Sequence, residues 1–140
     1  MDQNIIVDTG PLVAFFNRRD EHHHWVLLQL STLQGTLVTT ESVISECLYL
    51  LDYSRVAITA IQNMVMSKKL LVSNVPANDF SDVLMLVEKY QDLPASVADV
   101  SVLVVYNSMK HAKILTLDSD FLIYRARDGK PPVLIAPFEQ

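Results

Sequence analysis

Short β-branched runs alternate with longer stretches of helical spacing from one end of this chain to the other. Residues 5–7, 37–39, 70–73, 114–116 and 133–136 have the length and composition of strands. Between them the apolar spacing predicts helices. One covers 12–16, after the turn Asp8-Thr9-Gly10-Pro11; the next covers 22–33, with Trp25, Leu28, Leu30 and Leu33 at helical spacing, Asp20 as cap and Gly35 as stop. A third, capped by Thr40 or Ser42, carries Val43, Ile44, Cys47, Leu48, Leu50 and Leu51. Amphipathic helices follow over 55–66 and 77–90, the second with Phe80, Val83, Leu84, Leu86 and Val87 as its apolar positions, and a short helix covers 118–127. Residues 96–110 fit two readings: Val97, Val100, Val102, Leu103, Val104 and Val105 favour a strand, whereas the segment's length and the capping Ser96 favour a helix. A helix completes the alternation. Strands alternating with helices predict a three-layer α/β/α fold with a central, mostly parallel five-stranded sheet, and 140 residues fit one domain over 1–140.

Composition agrees with a packed core, since 50% of the residues are hydrophobic and only 19% are charged. Cys47 is the sole cysteine, which excludes an internal disulfide and a cysteine-rich zinc site. With three glycines the chain has neither a Walker A loop nor a dinucleotide fingerprint. The segment MDQNIIVDTG lacks a basic leader and no apolar run approaches ~18 residues, so the expectation is a cytoplasmic protein, neither secreted nor membrane-spanning. A net charge of −5 opposes broad electrostatic capture of nucleic acid. Setting aside four carboxylates engaged by metal leaves about −1, and Arg18, Arg19, Arg55, Lys110, Lys113, Arg125, Arg127 and Lys130 then suffice for modest phosphate contacts.

Four acidic residues, Asp8, Glu46, Asp99 and Asp118, stand where a predicted strand gives way to a helix or in the first turns of one. If the strands form one parallel sheet, these carboxylates meet at its carboxyl edge, the usual ligand crevice of such folds. Like charges gathered there call for a cation. Each acid also has an ordinary reading: Asp8 as an Asx-type cap, Glu46 as a solvated or capping-box residue, Asp99 as a complement to the helix dipole. Of Asp118 and Asp120, one caps the next helix while the other enters the crevice. Thr9 and Thr116 place hydroxyls beside two of the carboxylates, suited to orienting a ligand or a metal-bound water. His22-His23-His24 looks like a metal tract, but adjacent histidines at a helix start point in different directions. Cys47 reads as a buried core thiol, and Phe15, Phe16, Met64 and Met66 as packing residues.

The segments IIVDTGPLVAFFNRRDEHH, TTESVISECLYLL, LPASVADVSVLVVYNSMKHAKILTLDSDFLIYR and PVLIAPF together resemble the PIN domain, especially the VapC-type toxins of bacterial toxin–antitoxin pairs. The resemblance spans nearly the whole chain. It implies a PIN-like fold and an endoribonuclease that hydrolyses RNA phosphodiester bonds with Mg2+ or Mn2+. Asp8, Glu46, Asp99 and Asp118 match the family's acidic set, with Thr9, Thr116 and Asp120 at supporting positions; the fourth ligand lies between Asp118 and Asp120. Family members often have Asp-Ala where this chain has Asp99-Val100. An antitoxin partner and a homodimer are further implications. Hard divalent ions prefer carboxylate and water oxygens, so such chemistry requires no nucleophilic side chain.

Three rivals differ in class. Asp8-Thr9-Gly10 is also the signature of aspartic proteases, but that fold is built almost wholly of strands. A phosphoacceptor receiver domain shares the size and the acidic pocket; its lysine after the fifth strand is missing from Ile135-Ala136-Pro137-Phe138. A PIN-like domain that binds RNA or protein without cleaving is opposed by the intact acidic set.

Overall fold

The structure, a computed structural model, describes residues 3–140; Met1 and Asp2, where the segment without a basic leader begins, lie outside the described residues. Five strands, β1 (Asn4–Val7), β2 (Thr36–Thr39), β3 (Leu70–Val72), β4 (Ala112–Leu115) and β5 (Leu134–Ile135), form one sheet. Its order is β3-β2-β1-β4-β5, with every neighbouring pair parallel. The helices are α1 (Thr9–Phe16), α2 (His23–Thr32), α3 (Glu41–Leu50), α4 (Arg55–Met66), α5 (Phe80–Lys89) and α6 (Val97–Ser108). The chain steps outward from β1 through β2 to β3, then returns past β1 to β4. By the right-handed rule for parallel crossovers, the outward connections and the α5–α6 return fall on opposite faces of the sheet, giving three layers, while α3 packs against both α1 and α6. Burial agrees: Ile5, Ile6 and Val7 are consecutive and all buried, as in a strand covered on both faces.

Packing decides the segment that fits two readings. In α6, Ala98 and all residues from Val100 to Val105 are buried, and the helix touches β1, β4, α3 and α5. Valine gives up at most ~0.7 kcal/mol per residue in a helix, whereas burying its side chain gains about 1.5–3 kcal/mol. Burial wins.

Several predicted elements are shorter or divided. Residues 77–90 form a 3-10 turn, Ala77–Asp79, followed by α5, in which Val83 is buried while Phe80 and Leu84 are exposed. Leu28 and Met66, read as packing positions, are also exposed. The helix expected over 118–127 is one 3-10 turn, Ser119–Leu122. There the Arg125 Nη1 donates to the carbonyls of Leu122, Ile123 and Tyr124, so a side chain satisfies the oxygens a longer helix would have used. The N-cap of α2 is His22, not Asp20; Asp20 Oδ1 instead accepts from the His22 backbone N–H at 2.9 Å.

Gly35 does not stop α2, which ends at Thr32. It stands just before β2 at φ 144°, and a Cβ there would collide with the Gln3 carbonyl oxygen. Gly35→Ala is expected to destabilise the fold by about 1–3 kcal/mol, read as a lower midpoint in calorimetry. An unchanged midpoint would show that the β1–β2 edge yields easily.

Candidate metal centre

The strand order reverses around β1, so the carboxyl ends of β1 and β4 flank a topological switch point. Asp8 follows β1 there. It occupies the N-cap position of α1 yet makes no side-chain cap bond, which removes its Asx-cap reading. Its Oδ2 accepts a 2.8 Å hydrogen bond from Thr116 Oγ1, while its Oδ1 is buried without a partner. Desolvation, reinforced by the charge of Asp99, raises the Asp8 pKa to about 7, against the opposing hydrogen bond from Thr116. An ionised carboxylate oxygen left bare in this setting is costly unless a cation meets it.

Thr116 ties the two strand ends together. Besides donating to Asp8, its Oγ1 accepts from the Asp118 backbone N–H at 3.0 Å. Asp118 Oδ1 in turn accepts from Asp120 N–H at 2.9 Å, so Asp118 caps the 3-10 turn and also lines the crevice. The caps of the other two acids are equally local. Ser96 and Asp99 form a reciprocal capping box, each side chain bonding the other's backbone N–H at 3.0 Å. This engages Asp99 Oδ2. Burial raises the Asp99 pKa, with the charges of Asp118 and Glu46 adding to it and the Ser96 hydrogen bonds opposing. Glu46 sits in the second turn of α3, whose cap Thr40 accepts from Val43 N–H and pairs with Ser101 of α6 at 2.8 Å. That buried hydroxyl pair fixes the helix bearing Glu46 to the helix bearing Asp99.

A cleft of about 530 Å³ collects Asp8, Glu46, Asp99 and Asp118, with Thr9, Gly10, Leu50 and Leu117 among its walls. Thr9 Oγ1 is buried without a partner. Asp120 does not line the cleft; desolvation and neighbouring Asp118 raise its pKa. Three residues that the sequence pattern does not group with these acids, Asp20, Glu21 and His22, also line the cleft. The signal for them is the acidic and histidine-rich turn DEHHH, whose histidines diverge. His22 faces the cleft, His23 is buried with Nδ1 2.6 Å from the Ala14 carbonyl, and His24 is exposed. Cys47 is fully buried, and burial followed by the charge of Glu46 lifts its thiol to about 11, so it is inert.

Among the described residues, no three His, Cys, Asp or Glu side chains are spaced to hold one ion together. Asp99 commits one oxygen to the Ser96 N–H and Asp118 commits one to the Asp120 N–H. The remaining oxygens, with the bare Asp8 Oδ1, make an all-oxygen donor set. Such donors fit Mg2+ or Mn2+ and not a thiolate-seeking metal.

A family model of the PIN domain matches residues 5–126. The chain belongs to the PIN-domain family. Its curated relatives include ribonuclease VapC26 of Mycobacterium tuberculosis, 28% identical over 119 residues, which cover 81% of this chain and 86% of that protein. Among solved structures, Mycobacterium tuberculosis VapC20, described as a Sarcin-Ricin loop cleaving toxin, superposes with a TM-score of 0.74. It is 21% identical and covers 83% of this chain and 91% of its own, a likeness that concerns the fold.

In this PIN domain Thr116→Val keeps the shape of the side chain while removing a donor to Asp8 and an acceptor for Asp118 N–H. The expected cost is about 1–3 kcal/mol of stability, together with about 10–100-fold in divalent-ion affinity. Calorimetric Mn2+ titration checks the second number; unchanged affinity would mean that Thr116 only braces the strands.

Proposed function

We propose that this chain is a single-domain, divalent-metal-dependent endoribonuclease and the toxin of a toxin–antitoxin pair. One observation carries the metal-dependent part: a buried, unpartnered carboxylate oxygen on Asp8 in a cleft shared with Glu46, Asp99 and Asp118. Membership of the PIN-domain family and the likeness to a VapC ribonuclease support the RNA substrate and the antitoxin. Asp8, Asp99, Glu46 and Asp118 are the proposed ion-holding residues, with Asp118 favoured over Asp120 because only Asp118 lines the cleft.

A bound Mg2+ or Mn2+ supplies Lewis acidity and a lowered pKa for water. The chain's own groups do the rest. Thr116 holds the Asp8 carboxylate in one orientation, and Thr9 offers a buried hydroxyl to the same space. Two oxygens committed to caps hold Asp99 and Asp118 on rigid helix starts, so the carboxylates are positioned before substrate arrives. Gly10 lines the cleft, where a Cβ would press on Leu117 Cβ at 3.3 Å and narrow the approach.

A protein partner is supported by the apolar side chains at the α3–α4 turn. Tyr49, Leu50, Tyr53 and Val56 are all more than half exposed. An antitoxin and a second copy of this chain are the proposed occupants of such surfaces. Among the described residues no helix is long and apolar enough to cross a membrane; a cytoplasmic setting is part of the proposal. The test is incubation of the purified chain with varied single-stranded and structured RNAs in Mg2+, Mn2+ or chelator. Cleavage restricted to the metal-containing reactions is expected. RNA binding without cleavage under all three conditions would favour a non-catalytic PIN-like module.

A further inference from the structure

The opposite end of α6 carries a second feature that the cleft does not use. Where the C-terminal turn of α6 meets the start of β4, a cavity of about 460 Å³ is lined by Asn107, His111, Arg127 and Lys130, together with Asp128. It adjoins a groove of about 330 Å³ lined by Lys89, Arg125 and Arg127, with Asp82 as its one acid. Arg127 and Asn107 belong to both. In a chain of net charge −5, four of the eleven Lys and Arg residues therefore share one strip.

Two of these cations have side-chain contacts that leave their charge unneutralised, and the other two stand on an anchored loop. Arg125 Nη1 is fixed by three carbonyls at 2.8–3.1 Å, and Lys89 Nζ sits 5.2 Å from the centre of the Tyr90 ring. The backbone N–H of Arg127 donates to Asn107 Oδ1 at 2.9 Å, anchoring the loop to α6. Asp128, the nearest acid in sequence, spends its Oδ1 on the Lys130 backbone N–H. Among the described residues none of the four is ion-paired with a carboxylate. Exposed guanidinium and ammonium groups without carboxylate partners, in an otherwise acidic molecule, fit phosphate oxygens.

We infer that this strip binds the phosphodiester backbone of a single-stranded RNA whose scissile bond lies in the acidic cleft. The inference rests on the nuclease reading. Asp99 in the first turn of α6 and Asn107 near its end are separated by about 12 Å of helix rise; α6 itself is largely buried, so the surface route between cleft and strip runs over the exposed Leu122 and Ile123. The same segment that begins with Asp118 at the cleft continues into Arg125, Arg127 and Lys130. The strip thus gives an acidic enzyme a grip on a polyanion at a distance from its own carboxylates, and it reads backbone rather than sequence.

The test uses the full chain carrying Asp99→Asn, so that RNA stays intact, with and without Arg127→Gln and Lys130→Gln. Both added changes fall on exposed residues, and circular dichroism checks that the fold is kept. Expected is a several-fold to tenfold weaker affinity for a long single-stranded RNA, with the salt slope reduced by about 0.7 for each phosphate no longer neutralised. The charge-preserving pair Arg127→Lys and Lys130→Arg should restore most of both. Equal affinity and equal slope would overturn the strip, as would a change in oligomeric state by sedimentation without a change in RNA affinity. Metal-dependent cleavage by the otherwise unaltered chain, run in parallel, separates the two failures: cleavage without a salt-slope change sinks only the strip, whereas no cleavage and no binding sink both.

Discussion

Asp8→Asn should abolish RNA cleavage, by on the order of 10²–10⁴-fold, and at the same time make the metal-free protein more stable at pH 8. The two effects share one cause. Asp8 is buried, one of its oxygens has no partner, and its pKa is raised to about 7 from an ordinary 3.8. Because the folded state holds this proton more tightly than the unfolded chain, ionising Asp8 destabilises the fold, and stability falls as pH rises from about 4 through 7. At pH 8 that penalty is on the order of a few kcal/mol, reduced in the variant by the unpartnered amide it introduces. Thermal unfolding without metal should therefore favour Asp8→Asn at pH 8, by an amount that shrinks towards pH 5, and added Mn2+ should raise the midpoint of the unaltered chain alone. A variant less stable than the parent at pH 8 would mean that the Asp8 oxygen is already satisfied.

Asp99→Asn should lose cleavage by a comparable factor while keeping α6 intact, and Ser96→Ala should do the reverse. Asp99 has two roles on two oxygens, since Oδ2 closes the capping box and Oδ1 remains for the cleft. An asparagine can still accept from Ser96 N–H through its side-chain oxygen, so the cap survives and only the charge is lost. Removing the Ser96 hydroxyl leaves the charge and costs about 1 kcal/mol of helix capping. Rates and unfolding midpoints measured on both variants separate the roles. If Asp99→Asn cleaves at the parent rate, the dipole and capping reading of this residue is sufficient.

The strands are legible because a parallel sheet buries both faces, and the resulting β-branched runs stand out against turn residues. Residues 96–110 show the limit of local pattern: valines argue for a strand, and what makes them helical is burial of the helix on nearly all sides. The element after Asp118 is shorter than its spacing suggests, because nothing local in the sequence reveals that Arg125 closes the carbonyls. Asp8, Glu46, Asp99 and Asp118 can be grouped because each follows a strand or lies in the first turns of a helix in an α/β alternation. Choosing Asp118 over Asp120 for the cleft needs three dimensions, since two aspartates one residue apart look alike in sequence and only the folded 3-10 turn leaves Asp118 lining the cleft. Asp20, Glu21 and His22 are hidden for a similar reason: they lie on the α1–α2 turn, and a tertiary fold-back brings them to the cleft.

The cleft at the ends of β1 and β4 is the proposed divalent-ion site, built around Asp8. Calorimetric titration of the metal-free chain with Mn2+ at pH 8, beside Asp8→Asn, tests it most directly. Saturable binding with proton release is expected in the parent, because the carboxyl that ionises near pH 7 must release its residual proton to solvent when the ion binds, and that binding should be lost in the variant. Equal Mn2+ affinity in both proteins, or none in the parent, would contradict it.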